Sequence, residues 1–432
     1  MHKSRSAALT ELEKALTSAA GSGGWLVPED LEPLLVEFLY YLSPLTALME
    51  VKKANGTTHE INRRTGVPGA WFEGELTATP SSTGTVIVRN TVALKILRVG
   101  SGVSGFLQSA TQKGIDALES EQTAAIEAMA DLIEYGLVWG NAVADAFQFS
   151  GFDPTITTNL FDVNDVVELT DLDNMIDNAI AFRGVERDPK LFLMSPAMRS
   201  KVSGLQTKVY KTVQTIQFEG GMEMESYREI PIYQTSLMAP PSTLGVCVGV
   251  ENAVAGTVAN GTYYFRIAGV TLQGEQVSCA EFNVTVVGGG TTGITVALPA
   301  ADATIHLYKV FCGSASGTHY LLTTVAGHTY TAAGAILANI ATFNLQAITV
   351  PVAGQRPLDA TDESIMLLNL NPQRASGIVS LMNVLGEEVT NLVQYIPLAT
   401  TRDAYDFLMS SFLALEVPWE RLHAYSRRVR TS

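Results

Sequence analysis

Apolar positions recur along the chain with two periods, three to four residues in some stretches and two in others, and each change of period marks an element. Over residues 1–20, Leu9, Leu12 and Leu16 fall at helical spacing, which predicts a short amphipathic helix before Gly21-Ser22-Gly23-Gly24 releases the chain into an extended arm. A second helical pattern follows Trp25-Leu26-Val27-Pro28, through Leu34, Leu35, Phe38, Leu39, Leu42 and Leu45, and its apolar face needs a partner surface. From Lys52 to about Val99 the period drops to two. This predicts one long two-stranded ribbon, with a first strand near 57–62, a tip of Gly, Thr, Pro and Ser over 66–85, and a return strand from Val86. On that return strand Val86, Val88, Val92, Leu94 and Ile96 share one face, and Arg89, Thr91 and Lys95 the other. A ribbon of this kind is marginal alone and is expected to lie on another chain.

The strongest helical stripe is Ile115, Leu118, Gln122, Ala125, Met129, Leu132, Gly136 and Trp139, which predicts a rod of roughly 27 residues and about 40 Å. A helix near 171–182 with an Asp and Thr cluster able to cap it comes next. The apolar run Leu191-Phe192-Leu193-Met194, a helix from Pro196 and a strand over 230–235 follow. At Pro240-Pro241-Ser242 the composition changes. Residues 243–345 hold six charged side chains (Glu251, Arg266, Glu275, Glu281, Asp302, Lys309), all three Cys and an excess of Gly and Thr. Short alternating segments near 262–270, 276–287, 294–298, 304–311 and 320–325, separated by turns, indicate a β-sandwich of about seven strands. From Pro351 the earlier mixed style resumes, ending in strands near 405–417 and up to Arg430, so the sandwich interrupts another domain.

Composition narrows the function. With 432 residues, 47% hydrophobic and 16% charged, the chain has material for several packed domains and is too apolar for disorder. Lys and Arg number 28 against 43 Asp and Glu, a formal charge of -15 that argues against gripping a polyanion. Three Cys exclude a disulfide scaffold and suit free thiols in a reducing cytosol. No signal-peptide core opens the chain, and its most apolar early stretch, 31–49, is interrupted by Glu32, Pro33, Glu37 and Pro44, so neither export nor a membrane span is expected.

Several motifs invite chemistry. Gly100-Ser101-Gly102-Val103-Ser104-Gly105 fits a dinucleotide fingerprint between strand and helix, but the preceding strand alternates and no second parallel strand follows within about 30 residues, so a strand-to-helix joint is expected. Asp153, Asp162, Asp165, Glu168, Asp171, Asp173 and Asp177 do not follow calcium-loop spacing and read as a solvated acidic face with helix caps. Ser195 lacks a nucleophile elbow. His306, His319 and His328 fall on different strands and read as exposed or hydrogen-bonded histidines. Arg421, Arg427, Arg428 and Arg430 make a basic C-terminal strand, either a contact for packaged nucleic acid or a salt-bridged or solvated edge. No catalytic, cofactor-binding or metal-ligating residue is assigned.

The order of features resembles the major capsid proteins of tailed bacteriophages, the Hong Kong 97-type fold. The resemblance rests on the arm into Gly24-Trp25-Leu26-Val27-Pro28, Ser43-Pro44-Leu45 before the hairpin, and Ala70-Trp71-Phe72-Glu73-Gly74-Glu75 at its tip. It continues in Val92–Val99 running into Ser104-Gly105-Phe106-Leu107-Gln108-Ser109, in Trp139-Gly140-Asn141, in Phe149-Ser150-Gly151-Phe152, in Leu193-Met194-Ser195-Pro196 and in Ile230-Pro231-Ile232-Tyr233. It implies an α+β fold with an N-terminal arm (1–50), an E-loop hairpin (51–92), a peripheral domain with a spine helix (93–160 and 401–432) and an axial domain (161–242 and 346–400). The insert, 243–345, looks like an immunoglobulin-like or fibronectin type III-like sandwich, although no Trp lies within it. The expected function is a major capsid protein that self-assembles as hexamers and pentamers into an icosahedral shell around double-stranded DNA, without sequence-specific binding. Expected contacts between subunits are Trp25, Leu26, Trp71, Phe72 and Glu73. The twenty residues before Gly21 are too few for a built-in assembly domain, which implies a separate scaffolding protein beside a portal, with room for a decoration protein. Location in the virion after assembly in the host cytoplasm follows. The alternatives are an encapsulin-like nanocompartment shell and a tail or surface adhesin.

Overall fold

The computed structural model describes residues 44–66, 68–69, 72, 84–111, 117–180, 185–210, 213–217, 223–252, 256–288, 290–299, 302–331, 336–381, 393–398 and 403–432. The helical segments expected before Pro44, together with Trp25, Leu26, Trp71 and Glu73, lie outside these.

The long stripe forms the helix Ala117–Trp139, 23 residues and about 35 Å. Gln122, Ala125, Ile126, Met129, Ala130 and Ile133 are buried at steps of three and four, and from Tyr135 to Trp139 every side of the helix is covered. The chain then folds back on the helix end so closely that only glycine fits. A Cβ on Gly140 would lie 2.5 Å from the Phe149 carbonyl oxygen, and one on Gly151 would lie 2.6 Å from that of Gly136. Against this spine lies a five-stranded sheet organised by Ala404–Glu416, which pairs with Lys95–Ser104, Gly377–Ser380 and Gln394–Leu398, while Val51–Lys53 runs parallel to Gly377–Ser380.

A second, seven-stranded sheet has the order Leu160–Val166, Ala424–Arg430, Asp362–Asn369, Lys190–Met194, Ile230–Gln234, Glu223–Tyr227 and Gln214–Gln217. Both its faces are covered, which is why 191–194 reads as an unbroken apolar run. Phe192, Met194, Ile365 and Leu367 pack under the helices Leu169–Ile180 and Pro196–Tyr210. Leu191, Leu193, Met366 and Leu368 point the other way, into the core shared with the spine helix. Three strands pair across the expected partition. Gly377–Ser380 and Gln394–Leu398 join the sheet of Lys95–Ser104, and Ala424–Arg430 joins that of Leu160–Val166.

Between these strands the chain makes a three-stranded sheet (Val248–Asn252, Gly293–Ala297, Thr342–Leu345) and a five-stranded one (Gly274–Glu275, Gly261–Thr271, Ile305–Ala315, Thr318–Ala326, with Phe282–Val286 on Gly261–Thr271). Ile294, Val296, Phe343 and Leu345 from the first meet Phe265, Ile267, Val284, Val310 and Cys312 from the second in one hydrophobic cluster. The three thiols are free and buried. The strand expected over 276–287 is shorter, Phe282–Val286. Before it, four successive N–H groups bond to three different segments: Gln276 and Cys279 to Gly269 and Ile267 of Gly261–Thr271, Val277 to Ser242 and Ser278 to Leu358.

This region is not self-contained. Val270 and Leu307 belong to the core of the spine helix, and two of its charges cross over as well. Lys309 Nζ lies 2.8 Å from Glu275 Oε2 and 2.8 Å from Asp153 Oδ2, donates to Gln355 Oε1 at 3.3 Å, and sits 5.0 Å from the Trp139 ring centre. Arg427 donates to both Glu275 oxygens at 3.0 and 2.7 Å and to the Tyr425 hydroxyl at 2.8 Å, with Asp153 Oδ1 at 3.4 Å. All four ionised side chains are at most 4% exposed. Burial pushes the Glu275 carboxyl up, but the charges and hydrogen bonds of Arg427 and Lys309 outweigh it and hold the group below the usual carboxylate range.

Asp153, expected on a solvated face, is therefore a core ion, because the short helix that carries it, Phe152–Thr155, packs back on the end of the spine helix. The basic C-terminal strand is salt-bridged, as one of its two readings had it, but it is not an edge. It is an interior strand in which Arg427 is buried, Arg428 pairs with Asp162, Asp359 and Asp362, and Arg430 pairs with Asp362. Removing one partner leaves an uncompensated buried charge, so Lys309→Met is expected to cost about 3–5 kcal/mol. Arg89→Ala, which breaks the exposed pair with Glu60, is expected to cost under about 1 kcal/mol. Urea unfolding midpoints of the two variants check this, and equal small shifts would contradict it.

Candidate functional site

The ribbon is the least covered part of the fold. Thr58–Gly66 and Val86–Ala93 pair only with each other among the described strands, with His59 opposite Val92, Arg63 opposite Val88 and Arg64 opposite Ile87. Val86, Ile87 and Val88 are consecutive, so they point to both faces, and they are 55%, 62% and 40% exposed. The expected ribbon also ends early. Leu94 breaks the return strand, and Lys95–Ser104 leaves the ribbon to pair with Ala404–Glu416.

The root of the ribbon is fastened. Lys52 Nζ donates to both oxygens of the buried Glu416 carboxylate at 3.0 Å, and His59 Nε2 lies 3.5 Å from the same group. Arg63 donates to the Pro418 carbonyl at 2.9 Å and lies over the Trp419 ring at 4.8 Å. Of the expected contact residues only Phe72 is described, and it is fully exposed. Sequence reasoning missed other exposed apolar side chains. Ile96 was grouped with the ribbon face, and Phe106 and Leu107 open the helix Gly105–Thr111, whose shortness hides any period.

The glycine motif makes no phosphate loop. Residues 100–104 are ladder positions facing Phe407, Asp406 and their neighbours, and the joint is confined to the Ser104-Gly105 step. A Cβ on Gly102 would lie 2.0 Å from Asp406 Oδ1. Ser195 caps the helix Pro196–Tyr210 through the Met198 N–H and donates to Glu363. Asp171 accepts from the Glu168 N–H at the start of Leu169–Ile180.

A cleft of about 700 Å³ opens between the spine helix and the first residues of Lys95–Ser104, with walls that include Leu132, Tyr135, Phe147, Phe149, His306 and Tyr330. The His306 ring lies 4.8 Å from that of Tyr135, tilted by 40°, and 5.8 Å from the His328 ring, whose Nδ1 is 2.9 Å from Asn339 Oδ1. Two of the three sandwich histidines thus meet, while His319 pairs with Glu281 at 3.0 Å. Among the described residues no group of three or more His, Cys, Asp or Glu is arranged to hold a metal ion, and no helix is long and apolar enough to cross a membrane.

The matched family accounts for the ribbon and the spine together. A profile of the SU10 major capsid protein family matches residues 10–230, slightly more than half of the chain. The chain belongs to the SU10 major capsid protein family. No curated protein matches it. Among solved structures it is similar to the holo-SrpI encapsulin complex from Synechococcus elongatus PCC 7942, at 11% identity over 98% of this chain and 95% of that one, with a TM-score of 0.49. It is also similar to the capsid of a native GTA particle (10% identity, 90% of each chain, TM-score 0.43). The capsid of Myoviridae Phage XM1 is another (9% identity, 90% of this chain and 92% of that one, TM-score 0.43).

As a major capsid protein the chain forms the shell of a particle from copies of itself. The matched span contains the ribbon, the spine helix and four strands of the seven-stranded sheet, Leu160–Val166, Lys190–Met194, Gln214–Gln217 and Glu223–Tyr227; it stops before the charge-poor segment.

Three buried groups give this capsid protein a pH dependence. Burial, then the neighbouring His328 charge, push His306 down to about 4 against a partial pull from Asp145. Tyr135, Tyr330, Lys95 and Arg98 also line its cleft. Burial alone exceeds the opposing contributions at His423, also near 4. Both folded values lie below the unfolded one near 6.5, so their contribution is full above that pH and lost as pH falls toward 4, about 3 kcal/mol each. Burial, then Asp131, push Glu134 up to about 7, which returns about 3 kcal/mol over the same window. From these three groups alone the expected loss between pH 7 and pH 4 is about 3 kcal/mol, and the pH dependence shrinks in His306→Gln. Urea unfolding of subunits at the two pH values measures it, and an unchanged slope in the variant counts against it.

Proposed function

We propose that this capsid protein assembles as hexamers and pentamers into an icosahedral head that encloses double-stranded DNA. The observation that carries the reading is a ribbon held at its root by Lys52, Arg63 and Glu416, yet apolar and open on both faces at Val86, Ile87 and Val88. Exposed β-branched side chains on an otherwise unpaired ribbon gain stability when a neighbour covers them. Many such modest contacts, each linked to the next through a folded subunit, hold a shell without any one being strong. The contacts proposed for the ribbon tip are Trp71, Phe72 and Glu73, and for the arm Trp25 and Leu26.

The negative balance of the chain suits a container wall that DNA slides past without adhering. The arginines of the final strand support this, since Arg427, Arg428 and Arg430 are neutralised within the subunit. The role calls for no catalysis or cofactor, and it calls for a separate scaffolding protein and a portal. Residues 243–345 are read as an immunoglobulin-like sandwich displayed outward, supported by two sheets that share one core. That sandwich rests on the spine through Glu275, Lys309, Val270 and Leu307, so it folds with its host and not alone.

Replacing residues 67–85 by an Asn-Gly turn tests the assembly reading. The expected product is a subunit with unchanged circular dichroism that no longer forms closed shells in negative-stain images. Normal shells from this variant would remove the ribbon from the reading.

A further inference from the structure

The three-stranded sheet of residues 243–345 has one face in the core and one outside. Gly249, Ile294, Val296, Phe343 and Leu345 face inward, and a Cβ on Gly249 would lie 2.6 Å from Val284. The opposite face carries Val248 beside Ala297 and Thr342, and Val250 beside Thr295 and Asn344, so no ionisable side chain stands on it. Val248 and Val250 are 54% and 56% exposed, and Val246 precedes them. Val248–Asn252 is an edge strand, paired on one side with Gly293–Ala297.

We propose that this neutral valine face docks against the same face of a second copy of the chain in the assembled shell. The inference rests on the shell reading above.

Charge selects the occupant. The chain carries -15, most of it outside this segment, so copies repel except where they meet through uncharged surface. The six charged side chains of the segment are all engaged elsewhere. Glu275 and Lys309 are in the core cluster, Arg266 pairs with Asp359, and Glu281 with His319. Glu251 accepts from the Val287 and Gly288 N–H groups, and Asp302 from Thr304. A polyanion, an anionic membrane or a charged glycan finds no counter-charge on this face.

Area selects the setting. Three strands about 4.8 Å apart and about five residues long cover on the order of 250 Å². A stable free complex needs roughly 800 Å² per partner. Such a contact forms only where copies are already neighbours, at the high effective concentration that a shell provides.

The test uses full-length protein with Val248→Asp plus Val250→Asp, and separately Val248→Lys plus Val250→Lys. Each double variant is expected to raise the protein concentration needed for shells about ten-fold through like charges meeting across the contact. A one-to-one mixture should return to wild-type behaviour, because only a face that meets itself pairs Asp with Lys. In addition, Val250→Cys with a bismaleimide should give covalent dimers in shells and none in dilute subunits. Wild-type behaviour from both double variants, or loss without rescue in the mixture, overturns the proposal, the second outcome pointing to a different partner. Wild-type protein that never forms shells would instead overturn the reading on which it rests.

Discussion

Four ions without water hold the two halves of this subunit in register. Asp153 follows the end of the spine helix, Glu275 and Lys309 come from the charge-poor segment, and Arg427 comes from the last strand. Each would cost several kcal/mol to bury alone. Together they sum to zero charge, and Lys309 has acceptors for three donors. A shift of any one strand by a residue would turn its side chain away and leave an opposite charge unpaired in the core. The cluster therefore penalises misplacement of any of these elements, which lie far apart along the chain.

That constraint explains how a subunit can be rigid and open at once. The sheet built on Ala404–Glu416 carries the ribbon root through Glu416, and the same strand pairs along its length with Lys95–Ser104. The sheet pairing ends where Leu94 breaks the return strand, and beyond it the ribbon has its own ladder and the anchors of its first strand, His59 at Glu416 and Arg63 at Pro418 and Trp419. Its position relative to the subunit is set, while its apolar residues remain available. A shell lattice needs both properties, because a contact that is covered within the subunit cannot bind a neighbour and one without a fixed root cannot fix an angle.

The periodic elements were legible because they are local. The spine stripe, the run 191–194 and the alternating strands depend on spacing within a few residues, and the helices and strands lie close to where the spacing put them. What was illegible depends on partners far along the chain. Asp153 looked like one more acid in an acidic stretch, and its cations are Lys309 and Arg427. The C-terminal arginines could be read either as a nucleic-acid contact or as a salt-bridged or solvated edge, because Asp162, Asp359 and Asp362 reach them only once the seven-stranded sheet has formed. The glycine motif looked like a joint because its close neighbour Asp406 lies on a strand some three hundred residues later. Of the expected contact residues Phe72 alone is described, and the exposure of Ile96 and Phe106 depends on which strand pairs with which.

One sequence signal was present all along in the isolated charge of Lys309. It stands in a strand between Leu307 and Tyr308 on one side and Val310 and Phe311 on the other, among a hundred residues that hold five other charges. A lysine kept in such company is either exposed or answered by a buried acid, and neighbours that are all buried leave the second option. Glu275 satisfies that demand only in part, because Arg427 draws on the same carboxylate. A second acid is then required, and the charge-poor segment has none to spare, since Glu251, Glu281 and Asp302 are held by their own loops. The missing anion must come from the host, and Asp153 at the end of the spine helix supplies it. Scarcity of charge in the segment thus has two consequences with one cause: it binds the segment to the spine from within and leaves its outer sheet neutral.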